Sequence, residues 1–401
     1  MQPRLRFKEF SENWRQVRLE TIADITRLAG YEYSKYWIED NKKEIIALRG
    51  YNIGKNQLIL KDLGYISNEL SLKLQRSRLS KGDIVYPCVG TIGNAAVIEE
   101  NDKFHIQQNI AKITPKTSVD SYFLAQFLMS KSGIKQINKF NATSSQPNVL
   151  VGSIRNFEVY QPNNLFEQKK IASFLSAVDE KIAQLTKKYE LLTQYKKGVM
   201  QKIFSQELRF KADDGSAYPD WQTQTIGNIG EVITGKTPKT EDKALWTGDI
   251  QFVTPTDISS EKFQTRAERH VTNTGKLKIL PIGSIMFTCI ASIGKMSIST
   301  KPCITNQQIN SIVPHQEFDN NYIYYALLNI VDYIKSTQST NTLPIINKND
   351  FSKFILPTPS KYEQTKIANF LSAIDEKIQN IQAQLEVAKQ YKQGLLQQMF
   401  I

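Results

Sequence analysis

The sequence predicts an α+β protein with two α+β domains at opposite ends of an antiparallel pair of long coiled-coil helices, related by pseudo-twofold symmetry. Three observations lead to this fold class. A 38-residue segment occurs twice, each copy has helical periodicity, and a more loosely repeated β-rich region precedes each copy. The predicted boundaries are 1–166 for the first domain, 167–204 for the central helix, 205–362 for the second domain and 363–401 for the C-terminal helix.

The duplication is the clearest signal in the chain. Residues 167–182 read EQKKIASFLSAVDEKI and residues 363–378 read EQTKIANFLSAIDEKI, so 13 of 16 positions are identical. The match continues without a gap through QYKKGVMQKIF at 194–204 and QYKQGLLQQMF at 390–400. A constant offset over this length indicates an internal repeat, which is the first feature to seek in a new sequence.

Both copies carry apolar residues at alternating steps of four and three, the spacing of a heptad seam. The predicted seam residues are Ile171, Leu175, Val178, Ile182, Leu185, Ile367, Leu371, Ile374, Ile378 and Leu385. Lys196 and Lys392 occupy matching seam positions, either as a register device or as side chains that reach solvent. The alternative is that each long helix packs only on a globular domain. Because both copies carry the same seam, we expect the two helices to pair with each other. Chain connectivity then makes the pairing antiparallel, and 38 residues give a rod of roughly 57 Å.

The regions before the helices repeat only loosely. A W-x4-[LI]-x2-I pattern begins at Trp14 and again at Trp221, and the glycine turn of residues 81–97 parallels that of residues 281–298. An amphipathic helical pattern follows each time. Short β-type runs bounded by Gly and Pro, together with a helix, predict an α+β domain.

Composition and charge narrow the function classes. The net charge is +12 and the sequence pI is about 9.3, which favours a polyanionic partner such as nucleic acid. Residues 1–166 carry 23 basic and 16 acidic side chains, whereas residues 205–362 carry 16 and 15. No run of eighteen apolar residues and no signal-peptide core occur, so we expect a cytoplasmic protein without membrane contact.

The residues that usually carry catalysis or metal binding are sparse. The three cysteines, Cys88, Cys289 and Cys303, are far apart, which predicts reduced thiols. The three histidines show no ligand spacing, so we expect no metal site, no cofactor bound by this chain and no catalytic residue. GEVITGKT at 230–237 matches a P-loop in letters, but Pro238 follows where a helix should begin. A loose nuclease pattern, Pro219-Asp220 with Glu241-x-Lys243, is short enough to arise by chance.

These features resemble the specificity subunits of type I restriction–modification enzymes. The carriers are the paired EQ-x-KIA-x-FLSA-[VI]-DEKI segments, the tryptophan patterns, the GTIG and ASIG turns, and SSQPNV at 144–149. The resemblance implies a non-catalytic subunit that recognises an asymmetric, bipartite double-stranded DNA site, one half with each domain. It also implies docking of two modification (methyltransferase) subunits that use S-adenosylmethionine, and of restriction (translocase and nuclease) subunits that use ATP and Mg²⁺.

Base edges and phosphates are contacted by Arg, Lys, Asn, Gln, Ser, Thr and Tyr side chains on exposed loops. Candidates in the first domain are Arg49, Tyr51, Asn52, Thr91, Asn94, Gln107, Gln108, Ser144, Ser145 and Gln146. Candidates in the second are Thr254, Thr256, Ser292, Lys295, Gln307, Gln308, Gln338 and Asn341. The glutamine pairs have an alternative role, which is to satisfy backbone groups beside the glycine turn.

Other readings of the sequence remain open. The chain could be a coiled-coil scaffold that joins two protein-binding domains, or the specificity subunit of a related complex that only methylates. An NTPase or nuclease activity of the chain itself is the third alternative. Steep salt dependence of duplex binding would favour the DNA-reading hypothesis. The helix faces away from the seam, including Lys187, Lys188 and Lys197, are predicted to dock partners.

Overall fold

The computed structural model describes residues 2–141, 148–259, 261–275, 277–338 and 344–401. The chain forms two compact units, Met1–Lys187 with Gln382–Ile401 (unit 1) and Lys188–Ile381 (unit 2). Each of the two long helices therefore contributes one part of its length to each unit. Strands and helices occur throughout both units, so the predicted α+β class is confirmed.

Unit 1 combines short strands with short helices and part of each long helix. Its strands are β1 (Arg15–Arg18), β2 (Ala23–Arg27), β3 (Ile45–Leu48), β4 (Gly64–Ile66), β5 (Ile84–Pro87), β6 (Ala96–Val97), β7 (Phe104–Ile106), β8 (Ile110–Pro115) and β9 (Glu158–Gln161). Its helices are α1 (Leu19–Ile22), α2 (Gly30–Tyr36), α3 (Asn68–Lys73), α4 (Ser121–Met129), α5 (Lys131–Phe140), α6 (Val151–Arg155) and the first part of α7 (Leu165–Phe204). Short 3-10 turns lie at Gly50–Asn52 and Gln75–Ser77.

Within the described part of unit 1, the strands form three small sheets. The largest has the order β2-β8-β5-β6 and is antiparallel, the second has the order β4-β3-β7 with β3 and β7 parallel, and β1 pairs with β9. The main core lies where these sheets meet α4, α7 and the C-terminal residues, and it includes Phe123, Phe127, Ile171, Leu175 and Phe400. The residues of the first domain and the ends of both long helices thus share one core.

Unit 2 repeats this plan. Its strands are β10 (Gln222–Thr225), β11 (Gly230–Thr234), β12 (Ile250–Val253), β13 (Phe263–Gln264), β14 (Arg269–Val271), β15 (Ile285–Thr288), β16 (Met296–Ser299), β17 (Cys303–Thr305), β18 (Ile309–Pro314) and β19 (Ile355–Thr358). Its helices are the second part of α7, α8 (Ile226–Ile229), α9 (Asn320–Ser336), α10 (Lys348–Lys353) and the first part of α11 (Lys361–Met399), with a 3-10 turn at Lys243–Trp246.

The sheets of unit 2 have the same connections as those of unit 1. They are β11-β18-β15-β16-β13, β14-β12-β17 and β10-β19, and β13 is a short added strand parallel to β16. Equivalent glycines close the same turn in both units: Gly93 and Gly294 each have a φ of +92°. The positive φ favours glycine at this turn, and a Cβ at Gly93 would lie 2.6 Å from Ile134 Cδ1, so the Ile134 side chain would have to shift.

The long helices pair antiparallel within each unit. In unit 1, Glu167 and Phe400 both contact Trp14, while Asp179 farther along α7 contacts Lys392 farther back on α11. As the residue number rises along α7, that of the contacting α11 residue falls. In unit 2, Phe204 and Glu363 both contact Trp221, and Lys196 contacts Asp375.

The predicted seam lies inward. Ile171, Leu175, Leu185, Ile367, Leu371, Ile374 and Leu385 are buried, and Val178, Ile182 and Ile378 are partly buried. The helices begin at Leu165 and Lys361, two residues before the starts predicted from the repeat. The compact units also divide the chain differently from the four predicted segments, because both helices are shared between the units.

Candidate nucleic-acid interface

A buried carboxylate anchors the N-terminal segment of unit 1 to α7. Glu167 is 1% exposed and accepts hydrogen bonds from Arg6, with Nε–Oε1 at 2.6 Å and Nη2–Oε2 at 2.8 Å. Trp14 donates from Nε1 to Oε1 of the same carboxylate at 3.0 Å. The hydrogen bonds that Arg6 donates to the Glu167 carboxylate raise the pKa of Arg6.

Unit 2 contains the same anchor at the repeat-equivalent position. Glu363 is fully buried and accepts from Arg209, with Nε–Oε1 at 3.1 Å and Nη2–Oε2 at 2.9 Å. Trp221 donates from Nε1 to Oε2 at 3.0 Å. Each EQ dipeptide of the repeat therefore begins with a glutamate that binds an arginine and a tryptophan of its own domain.

The glutamine of each EQ dipeptide makes a second anchor. Gln168 Oε1 accepts from the backbone N–H of Asp120 at 2.9 Å, and Gln364 Oε1 accepts from that of Asp319 at 2.9 Å. Both aspartates cap the helix that follows them, α4 and α9 respectively. Because the same side chains fix both domains, this contact set explains why EQ recurs unchanged while the domains diverge.

A second carboxylate of α7 links the helices to the domain. Asp179 Oδ2 accepts from Asn56 Nδ2 and from Gln126 Nε2, both at 2.8 Å. Lys392 of α11 donates from Nζ to Oδ1. Burial lowers the pKa of Lys392, and the Asp179 charge partly offsets this effect.

The equivalent cluster in unit 2 is larger. Asp375 accepts from the Tyr325 hydroxyl at 2.6 Å and lies 2.5 Å from Lys196 Nζ. Lys262 Nζ donates to Ser372 Oγ at 2.8 Å and to the Tyr325 hydroxyl at 3.2 Å, and burial lowers its pKa to about 8. Both seam lysines thus pair with aspartates, as a register device would, and do not extend to solvent.

Arg49 and Tyr51, two of the candidates that follow β3, are bonded into one group with Glu39 and Gln107. Arg49 donates to Glu39 Oε1 at 2.6 Å and to the Tyr51 hydroxyl at 2.7 Å, and these two partners raise its pKa. Gln107 Nε2 contacts the same glutamate oxygen at 3.2 Å. Sequence reasoning missed Glu39, which joins two candidates that are 58 residues apart in the chain. The guanidinium is therefore held in a fixed orientation.

Asn52 does not suit the predicted role. It is fully buried, and its Nδ2 donates to the Ile59 carbonyl at 3.0 Å and the Lys61 carbonyl at 2.9 Å. Its Oδ1 accepts from the Arg49 backbone N–H at 3.0 Å. We correct the prediction for this residue, because its amide shapes the loop that carries Arg49 and has no accessible group for a base.

The remaining first-domain candidates surround the glycine turn. Thr91 is exposed and donates to the Gly50 carbonyl at 2.9 Å, and partly buried Asn94 donates to the Ile53 carbonyl at 3.0 Å. Gln108 is partly buried and lines a cavity beside this turn. The glycine turn and the Arg49 loop are therefore bonded together. Ser144, Ser145 and Gln146 lie outside the described residues.

In the second domain the loop after β12 is built differently. Thr254 Oγ1 lies 2.8 Å from Thr256 Oγ1 and donates to Asp257 Oδ2 at 2.6 Å. The backbone N–H of Gln107 donates to the Leu48 carbonyl, and that of Asn306 donates to the Val253 carbonyl in the same way. Thr254, which follows Val253, is therefore equivalent to Arg49, which follows Leu48. The same position thus presents a hydroxyl in one domain and a guanidinium in the other.

The other second-domain candidates are dispersed around its glycine turn. Lys295 is exposed and Ser292 is partly buried, with its carbonyl accepting from Thr288 Oγ1 at 2.5 Å. Gln307 is exposed and accepts from Thr237 Oγ1 at 2.6 Å, whereas Gln308 accepts from Asn306 Nδ2 at 3.0 Å. Gln338 is partly buried at the end of α9 and contacts Thr337 Oγ1 at 3.3 Å. Asn341 lies outside the described residues.

The GEVITGKT segment at 230–237, which matches a P-loop in sequence, does not have P-loop geometry. Gly230–Thr234 is strand β11, and the next helical turn begins only at Lys243. Thr237 is engaged by Gln307 rather than positioned at a helix N-terminus. Within the described residues, no group of three or more His, Cys, Asp or Glu side chains is placed to hold a metal ion. Among the same residues, no helix has the length and apolar character needed to span a bilayer.

Two domains of one topology, each anchored to a long repeated helix and each with its own polar loops, define an internally duplicated protein. The family model for the type I restriction modification DNA specificity domain matches residues 11–194 and 218–390. These ranges cover most of the chain, and the chain belongs to this family.

Curated relatives carry the same family description. The chain is 34% identical over 207 residues to the MjaIX specificity subunit of Methanocaldococcus jannaschii, covering 49% of this chain and 48% of the relative. It is 31% identical over 172 residues to the HindI specificity subunit of Haemophilus influenzae, covering 40% and 38%. These two alignments thus span about half the relatives' length or less. The putative MjaX specificity subunit of M. jannaschii aligns at 26% identity over 97% of this chain and 93% of the relative.

Solved structures share the fold. The type I restriction–modification S subunit from M. genitalium superimposes with a TM-score of 0.67 at 17% identity, covering 100% of this chain and 99% of that one. A chain from a study of assembly and conformational transition of the type I system gives 0.57 at 17% identity, covering 96% and 97%. At these identities the likeness concerns the fold alone.

Proposed function

We propose that this chain is the DNA-specificity subunit of a type I restriction–modification complex, reads an asymmetric bipartite site and performs no chemistry itself. One observation carries the proposal. The anchors made by the two EQ dipeptides are repeated residue for residue, as at Glu167 and Glu363, whereas the polar loops differ at equivalent positions, as at Arg49 and Thr254. Identical anchors with different loops suit one reading geometry applied to two different half-sites.

The first-domain loop suits a guanine contact. Arginine reads the O6 and N7 of guanine with two parallel N–H donors, and a well-formed pair discriminates by about 1–3 kcal/mol. Arg49 is held by Glu39 and Tyr51, which reduces the side-chain entropy lost on binding. Hydroxyls such as Thr254 and Thr256 read bases less selectively, so we expect the second half-site to depend more on Lys295 and Gln307.

We further propose that helix length sets the distance between the half-sites. α7 has 40 residues and α11 has 39, and each helix rises about 1.5 Å per residue. A duplex turn spans about 34–36 Å, so a helix pair of this length is on the scale of one to two turns. Paired seam lysines would resist slippage of one helix along the other.

Repeated apolar side chains on the helices supply a docking surface for partner subunits. Three pairs related by the 196-residue offset are exposed: Phe166 and Tyr362, Leu191 and Val387, and Tyr195 and Tyr391. Lys187, Lys188 and Lys197, predicted from the sequence as partner-facing, are exposed as well. Because the surface occurs twice, we propose that it docks two copies of one modification subunit.

The chemistry would then come from the partners. The modification subunits would supply adenine methylation from S-adenosylmethionine, and restriction subunits would supply ATP- and Mg²⁺-dependent translocation and cleavage. The test is methylome sequencing of a host with and without this chain. We expect one added modified motif with two dissimilar halves. An unchanged methylome, together with salt-independent capture of proteins, would favour a scaffold that joins two protein-binding domains.

Substitutions separate the two halves. Lys295→Ala should reduce base specificity in the half-site read by the second domain and leave the other half-site unchanged. Asn94→Ala should reduce base specificity in the half-site read by the first domain and leave the second unchanged. If neither variant alters the motif in a methylation-protection assay with partner subunits, the assignment of these loops fails. Tyr195→Ala with Tyr391→Ala should reduce capture of the modification subunit while leaving thermal stability unchanged, because both side chains are exposed.

A further inference from the structure

A concave surface on unit 1 gathers three arginines and no carboxylate. Arg27, Arg76 and Arg155 line a cavity of about 500 Å³ together with the hydroxyl-bearing Thr26 and Ser153, and the other lining residues are aliphatic or glycine. Three like charges held together repel one another, and the Glu32 carboxylate, which pairs with Arg76, offsets only part of this charge. Such an arrangement is stabilised when an anion occupies it.

The arginines keep donors for a ligand. Arg155 Nη2 donates to the Ile25 carbonyl at 3.0 Å, which orients the side chain and uses one of its five N–H groups. Arg76 Nη2 lies 3.6 Å from Glu32 Oε2, and this arginine side chain remains 58% exposed. Arg27 is exposed at the end of β2. Planar guanidinium groups of this kind match the geometry of phosphate oxygens.

The arginine cavity lies next to a candidate base-contacting residue, Gln108. A second cavity of about 190 Å³ shares Arg27, Leu150 and Val151 with the first. Its lining includes Gln108, a candidate for base contact, and Asn148. Base-contacting and cationic groups thus occur along one continuous depression of unit 1.

The second domain has no equivalent cations at these positions. Arg27 pairs with Ala111 of β8, and Thr234 pairs with Asn310 at the equivalent position of β18. Thr234 therefore occupies in the second domain the position that Arg27 has in the first. The bonds from Leu19 N to Phe157 O and from Ile226 N to Phe354 O align Arg155 with Ser352.

The third position is aligned in the same way. The bonds from Leu79 N to Phe104 O and from Leu280 N to Cys303 O align Arg76 with Leu277. All three arginines are therefore replaced by uncharged side chains. Residues 1–166 also contain nine of the chain's arginines, whereas residues 205–362 contain three.

We propose that this arginine cavity binds the phosphodiester backbone of DNA beside the half-site read by the first domain. A sphere of its volume is about 10 Å across, and one DNA strand carries a charge per roughly 3.4 Å of axis, so the cavity spans about three phosphates. It follows that the first domain supplies more of the electrostatic binding than the second. This inference rests on the proposed function, because it requires duplex DNA to be the ligand.

The test is the salt dependence of duplex binding by the full chain with its modification subunits. Each phosphate contact contributes about −0.9 to the slope of log K against log[salt]. We expect Arg27→Gln, Arg76→Gln and Arg155→Gln together to reduce the slope by about 2 to 3 and the affinity by roughly 100-fold at 0.1 M salt. The matched control with lysine at all three positions keeps the charge and should keep the slope. Arg27→Gln alone should reduce the slope by about 1.

The outcomes separate this inference from the proposed function. If the wild-type complex binds duplex with a steep slope and neither glutamine variant changes it, the cavity does not contact DNA while the proposed function stands. If the triple variant loses binding of inorganic tripolyphosphate but keeps the duplex slope, the cavity holds a small anion and the inference is overturned. If the wild-type complex shows no salt-dependent duplex binding, the proposed function itself fails.

Discussion

Removing the Glu167 carboxylate should destabilise unit 1 strongly. Its oxygens accept two hydrogen bonds from Arg6 and one from Trp14, and the Arg6 side chain is only 9% exposed. Breaking a buried pair by deleting one partner costs about 3–5 kcal/mol, because the other charge remains buried and unpaired. We therefore expect Glu167→Ala to lower the free energy of unfolding by about 4 kcal/mol.

Urea denaturation followed by circular dichroism measures this change, and hydrogen exchange shows where it acts. Amides of the segment around Trp14 should exchange faster in the variant. The control is Glu100→Ala, which removes an exposed pair with Lys103 and should cost less than about 0.5 kcal/mol. Arg6→Met combined with Glu167→Leu should recover most of the loss, because no charge is then left unpaired. A change below about 1 kcal/mol in Glu167→Ala would refute the reasoning.

Three further predictions concern buried groups. Burial lowers the pKa of Lys262 to about 8, so the folded state releases this proton before the unfolded state does and wild-type stability gains about 2 kcal/mol between pH 7 and 9.5. In urea titrations at both pH values, Lys262→Met should lose stability relative to wild type as the pH rises, and a constant difference would contradict the burial argument. Burial raises the pKa of Cys88 and Cys303 to about 12 and of Cys289 to about 11, so a disulfide reagent at pH 8 should label these thiols only after denaturation. Gly93→Ala should cost at least about 1–3 kcal/mol in thermal unfolding, because φ is +92° and the Ile134 side chain is close; an unchanged midpoint would show that the turn relaxes.

The long helices and the domain class were accessible from the sequence for a physical reason. Heptad spacing repeats over many residues, so the positions of Ile171, Leu175, Ile367 and Leu371 on one helix face follow from periodicity alone. The duplication then supplied a second, independent copy of the same pattern. Short strands bounded by Gly and Pro indicated the α+β class without fixing the order of strands within each sheet.

Individual side-chain roles were less accessible, because they depend on contacts between distant parts of the chain. Asn52 has the side-chain amide expected of a residue that contacts bases, yet this amide donates hydrogen bonds to two backbone carbonyls of its own loop. Glu167 and Arg6 are separated by 161 positions, and nothing in their local sequence indicates the pair. The lysines at 196 and 392 were recognised as unusual, but their aspartate partners follow only from the antiparallel register.

We have proposed that helix length sets the spacing of the two half-sites. Duplicating one heptad in each helix, KIAQLTK at 181–187 and KIQNIQA at 377–383, lengthens both by about 10 Å and preserves the seam. Methylome sequencing of a host that carries this variant should show both halves of the motif unchanged and the interval between them longer by about three base pairs. A motif with the original interval, in a variant that still methylates DNA, would contradict the account.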